Sequence, residues 1–84
     1  SQYKQQVNQL IEQLKLTDEL ILGIHNQLSE QEKLIEIYKV EIAKGMVRFL
    51  DFLDTLNNYT QAKNNLTTSE MNRLQIINQM NYLK

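Results

Sequence analysis

The amino-acid sequence predicts an all-α protein: a long antiparallel two-helix coiled-coil hairpin with its turn near Gly45. Three observations carry that reading. Apolar residues recur at alternating steps of three and four along nearly the whole chain, the mark of a helix with one buried stripe. The 84 residues include no proline and only two glycines, whereas the turns of compact β folds draw heavily on both. One of the two glycines, Gly45, stands almost at the midpoint.

The first helix is expected over residues 3 to 43. Positions seven apart from Val7 are Leu14, Ile21, Leu28, Ile35 and Ile42, all apolar. Three residues on from each member runs a companion row of Leu10, Thr17, Ile24, Gln31, Tyr38 and Gly45, half of it apolar, with Tyr3 extending it backwards and Ile11 widening the stripe. Together they form a coiled-coil seam, about 60 Å long at 1.5 Å per residue. Gly23 and the capping-box pattern Ser29-Glu30-Gln31-Glu32 are the two features that would interrupt this helix in the alternative fold, a three-helix bundle. The seven-residue row stays in phase across both, so the helix is read as continuous.

The turn is expected at residues 44 to 47. Within Ala43-Lys44-Gly45-Met46-Val47, Gly45 is the residue suited to the left-handed conformation that ends a helix. The second helix follows over about residues 48 to 83. Its stripe runs through Leu53, Leu56, Tyr59, Ala62, Leu66, Ser69, Arg73, Ile76, Met80 and Leu83, broadened by Phe49, Phe52, Leu74 and Ile77. Two helices of near-equal length around a short turn pair antiparallel, with residues near 38 meeting residues near 53. The whole of residues 1 to 84 is then one helical hairpin. Two helices alone bury little apolar surface, so the hairpin is expected to associate with itself, as a dimer or a larger species, or with the rest of a larger protein.

Composition excludes several function classes. No cysteine means no disulfide, thiolate nucleophile or Cys-zinc site, and one histidine, His25, makes no metal centre. The net charge of −1 leaves no basic footprint for nucleic acid. No stretch approaches the 18 apolar residues of a membrane-spanning helix. No nucleophile–base spacing or phosphate loop appears, so neither an enzyme activity nor a cofactor is expected. The most skewed feature is amide content, 10 Gln and 9 Asn, which solvates long helices without fixed charge.

Around Gly45 a motif emerges. Ile42, Gly45, Asp51 and Leu53 fall in a fixed spacing, followed by Leu56-Asn57, Gln61-Ala62-Lys63, Leu66 and Asn78-Gln79-Met80-Asn81-Tyr82-Leu83. The stretch from Ile37 to Lys84 resembles the repeat of the outer membrane efflux protein family, the TolC-like channel-tunnels. That family often has Tyr three residues before the Gly, where this chain has Ile42, and an apolar residue directly before it, where this chain has Lys44. The resemblance implies a piece of a longer chain: the periplasmic helical hairpin of a trimeric bacterial outer membrane channel. Its turn would dock a periplasmic adaptor, or membrane fusion protein, that connects to an inner membrane transporter.

Carried onto this sequence, the resemblance places the adaptor-binding tip at Lys44, Gly45, Met46, Val47 and Arg48, and a tunnel-mouth position at Asp51. Each has a plainer reading beside it. Gly45 ends a helix in any hairpin. Asp51 suits the first turn of any helix, where a carboxylate favours the positive end of the dipole. Lys44 and Arg48 suit a solvated tip or a pairing with nearby carboxylates such as Asp54. The rival reading of the chain is a generic coiled-coil dimerisation or scaffold module with no transport role.

Overall fold

The computed structural model describes residues 1–46 and 48–83, and these form two long helices. Helix α1 runs over Gln2–Ala43 and α2 over Phe49–Tyr82, side by side in a rod 66 × 14 × 14 Å. No strand occurs among the described residues. Helix α1 is unbroken through Gly23 and Ser29, which removes the three-helix alternative. At its N-terminus the Ser1 hydroxyl accepts from the Lys4 N–H at 3.2 Å, satisfying one of the orphan donors of the first turn.

The helices run antiparallel. Tyr38 meets Phe52 edge to face, with ring centroids 6.4 Å apart. Further from the turn Glu32 meets Tyr59, Ile24 and Leu28 meet Ala62, and Asp18 meets Arg73. Along α1 the inward residues follow the expected double row from Val7 to Tyr38. The row then drifts: Ile42 lies at the surface and Glu41 turns half inward instead.

The α2 stripe begins differently from the sequence reading. Phe52 and Thr55 occupy the seam, and Leu53 is 39% exposed. Counting back from Tyr59 by seven and by four gives 52 and 55, so Leu53 falls one step outside. Ile11, Phe49 and Leu74 also lie exposed. A helix with one neighbour covers a strip two residues wide; apolar residues at the strip's margin stay in water.

Three of the four buried positions of α2 are small. On α1 the buried residues are Ile24, Leu28, Ile35 and Tyr38; on α2 they are Thr55, Ala62, Ser69 and Ile76, each seven from the next. Ala62 is the most enclosed residue, 2% exposed between Ile24 and Leu28, with Tyr59 and Leu66 closing the layer. Its methyl group lets the two branched side chains of α1 sit down against the α2 backbone. Thr55 is buried without leaving a hydroxyl unpaired, because its Oγ1 donates to the Asp51 carbonyl one turn back at 2.9 Å.

Polar bridges flank the seam. Arg73 Nε donates to Asp18 Oδ1 at 2.6 Å; both side chains are more than 40% exposed, so the pair contributes at most about 1 kcal/mol. Tyr59 donates its hydroxyl to Glu32 Oε1 at 3.0 Å, and Lys63 Nζ lies 4.8 Å from the Tyr59 ring centre. The hydrogen bond to Glu32, with smaller help from burial and the Glu32 charge, holds the Tyr59 phenol above the ordinary tyrosine value.

Three outcomes follow from this packing. Ala62→Leu overfills the tightest layer and lowers unfolding stability by about 1–3 kcal/mol in urea titration. Gly23→Ala raises it by about 0.5–1 kcal/mol, since a Cβ at Gly23 meets nothing within 4 Å and the backbone there is helical. The Tyr59–Glu32 bond contributes stability fully below the unfolded tyrosine value of about 10, and loses it as pH climbs through the higher folded value. Phenolate absorbance should therefore show the Tyr59 titration moving down in Glu32→Ala; a curve that does not move would refute the bridge.

Candidate functional site

The turn that joins the helices is built by a specific backbone device. The Met46 N–H donates to the Glu41 carbonyl at 2.9 Å and the Gly45 N–H to the Ile42 carbonyl at 3.0 Å. Between them Gly45 adopts φ +78°, among the described residues the only positive φ. This crossed pair of hydrogen bonds around a left-handed residue is the Schellman ending of a helix. It reverses the chain and satisfies carbonyls that the helix end would leave bare.

The structure places four of the five expected tip residues together at this end. Lys44 caps α1, its N–H shared among the last carbonyls. Gly45 follows, and Met46 is 51% exposed. Arg48 precedes α2 at the N-cap position, where its side chain makes no capping hydrogen bond. Val47 lies outside the described residues. Asp51 sits exposed in the first turn of α2, the position expected for it.

The charges pair differently from the sequence expectation. Arg48 reaches back across the turn to α1, with Nε 3.8 Å from Glu41 Oε2, rather than to Asp51 or Asp54. Glu41 carries only 21% of its side chain exposed, and its Oε2 is buried with no hydrogen-bond donor in range. Arg48 is thus the compensating charge for a half-buried carboxylate. Among the described residues Asp51 enters no ion pair.

Sequence reasoning passed over two contributors. Glu41 was hidden because the seven-residue row pointed to Ile42 as the inward residue, and nothing in the spacing singled it out. Leu50 is 75% exposed, the most exposed of the apolar residues beside the turn, where Met46 and Phe49 are also more than half exposed. Its signal was its place one residue off the stripe in the run Phe49-Leu50-Asp51-Phe52. The tip can therefore offer apolar contact flanked by Lys44 and by the Arg48–Glu41 pair. It holds no group of three metal-ligating side chains among the described residues.

Replacing Gly45 tests the turn directly. A Cβ there meets nothing within 4 Å, so the cost is wholly that of the left-handed backbone. Gly45→Val should lose about 1–2 kcal/mol or slightly more, and Gly45→Asn clearly less, in chemical denaturation. Equal losses for Val and Asn would show that the turn does not depend on this conformation. No family model, curated protein or solved structure matches the chain.

Proposed function

We propose that the hairpin is the periplasmic α-helical tunnel segment of a TolC-like outer membrane efflux or secretion channel, its turn docking a periplasmic adaptor that serves an inner membrane transporter. The observation that carries the reading is the tip itself: Gly45 at φ +78°, followed within five residues by exposed Met46, Phe49 and Leu50. Apolar side chains clustered at the end of a rod contribute nothing to the seam, and such patches mark contact sites. The glycine adds a stretch of backbone that another helix end can approach closely. The motif spacing from Gly45 to Asp51 and Leu53 supports the family assignment behind the proposal.

In this reading Lys44, Gly45, Met46, Val47 and Arg48 form the adaptor contact, and Asp51 lies at the tunnel mouth. The chain performs no catalytic step and needs no cofactor. It works in a self-associated state, a trimer in the full channel and a dimer or larger species as the isolated hairpin. A coiled-coil scaffold would use the same seam, but it has no use for an apolar tip; the tip favours docking.

The test is made in the full channel. A cysteine at Leu50 should crosslink to the adaptor, whereas one at exposed Asn64 on the shaft should not. Gly45→Val should reduce export severalfold while the channel remains at normal abundance. Unimpaired export together with no crosslink from Leu50 would remove the docking role.

A further inference from the structure

One face of α1 lies in water although it is apolar at both of its ends. Leu16 and Leu20 are 55% and 56% exposed near one end; Leu34 and Ile37 are 37% and 52% exposed near the other. Gly23, Gln27 and Glu30 lie between them at the same three- and four-residue steps. Read from either direction, the row has two apolar residues at its end and Gln27 at its centre. Leu16 mirrors Ile37 and Leu20 mirrors Leu34, while Gly23 leaves room opposite Glu30.

A row of this kind is complementary to itself when turned end for end. Two-fold interfaces have that property: each contact between one residue and a second recurs with the roles exchanged. We propose that a second copy of this chain packs antiparallel along this face of α1, with the two-fold axis beside Gln27. Leu16 then meets Ile37 of the other copy, Leu20 meets Leu34, and the two Gln27 carboxamides meet at the axis. Charge agrees with this register. Glu19 and Lys33, exposed on one margin of the row, stand opposite each other across the interface and form the pair twice.

Two further observations favour a second copy over an empty face. The hairpin exposes 6538 Å², against about 5,200 Å² for a compact monomer of its mass. The excess is surface that a single hairpin cannot cover. Beside this face lies a cleft lined by Gln27, Gln31, Asn58, Gln61 and Asn65. The neighbouring α2 surface is thus uncharged and presents amides, which pair with amides without repulsion.

This inference rests on the self-association proposed above and names its surface and direction; it does not depend on the efflux reading. The chain has no cysteine among its 84 residues, so single cysteines report geometry cleanly. Gln27→Cys should form an intermolecular disulfide rapidly under mild oxidation. Leu16→Cys should not, because the two Leu16 positions lie about 30 Å apart in an antiparallel pair. A mixture of Leu16→Cys and Ile37→Cys chains should crosslink. Sedimentation equilibrium should give a dimer for the native chain and at least a tenfold weaker one for Leu20→Glu/Leu34→Glu, with helicity by circular dichroism retained because both residues are exposed. Self-crosslinking of Leu16→Cys as fast as Gln27→Cys, or a dimer unaffected by the double variant, overturns the proposed face while leaving self-association standing. A monomer at all concentrations overturns both.

Discussion

The structure depends on one packing constraint: each helix has a single neighbour, so burial is confined to a seam two residues wide. Within it the contact is closest where α2 supplies a small residue against the large ones of α1. Ala62 under Ile24 and Leu28 is the tightest instance. Thr55 and Ser69, seven residues to either side, repeat the arrangement towards the turn and towards the open end. The register follows from this alternation. A slip of one residue would turn Gln61 or Lys63 into the place of Ala62 and force the helices apart. Everything outside the seam, including the polar bridges and the apolar margins, takes its position from that register.

Much of this was legible in the sequence, because a seam is a periodic object and periodicity is what a sequence displays. The inward row of α1 from Val7 to Tyr38, the unbroken passage through Gly23, and the turn at Gly45 all follow from spacing and from the conformational freedom of glycine. What spacing could not supply was the exact edge of the stripe. Leu53 and Phe52 are equally apolar neighbours, and only the position of the partner helix decides between them. The same holds for Ile42 and Glu41, where the sequence favoured the apolar residue and the geometry turned the acidic one inward.

The candidate tip divides along similar lines. The left-handed Gly45 was readable because one residue type suits that backbone. The Arg48–Glu41 pair was not, since it joins residues on opposite sides of a turn whose geometry sets which carboxylate comes within reach. Asp51 and Asp54 are closer in sequence to Arg48, yet Glu41 on the other helix is the carboxylate that comes within reach. Proximity along the chain is a poor guide where the chain reverses.

The single turn also imposes an order of opening on the rod. Tyr38 and Phe52 close a short loop, whereas Asp18 and Arg73 are 55 residues apart in sequence. Once the far pair is undone, the near pair still holds the two helices of the hairpin together; the reverse leaves a long loop to be closed at greater entropic cost. The hairpin is therefore hinged at Gly45 like forceps. Amide exchange should quicken from that hinge towards the free ends, and the end that carries the exposed tip is the end that unzips last.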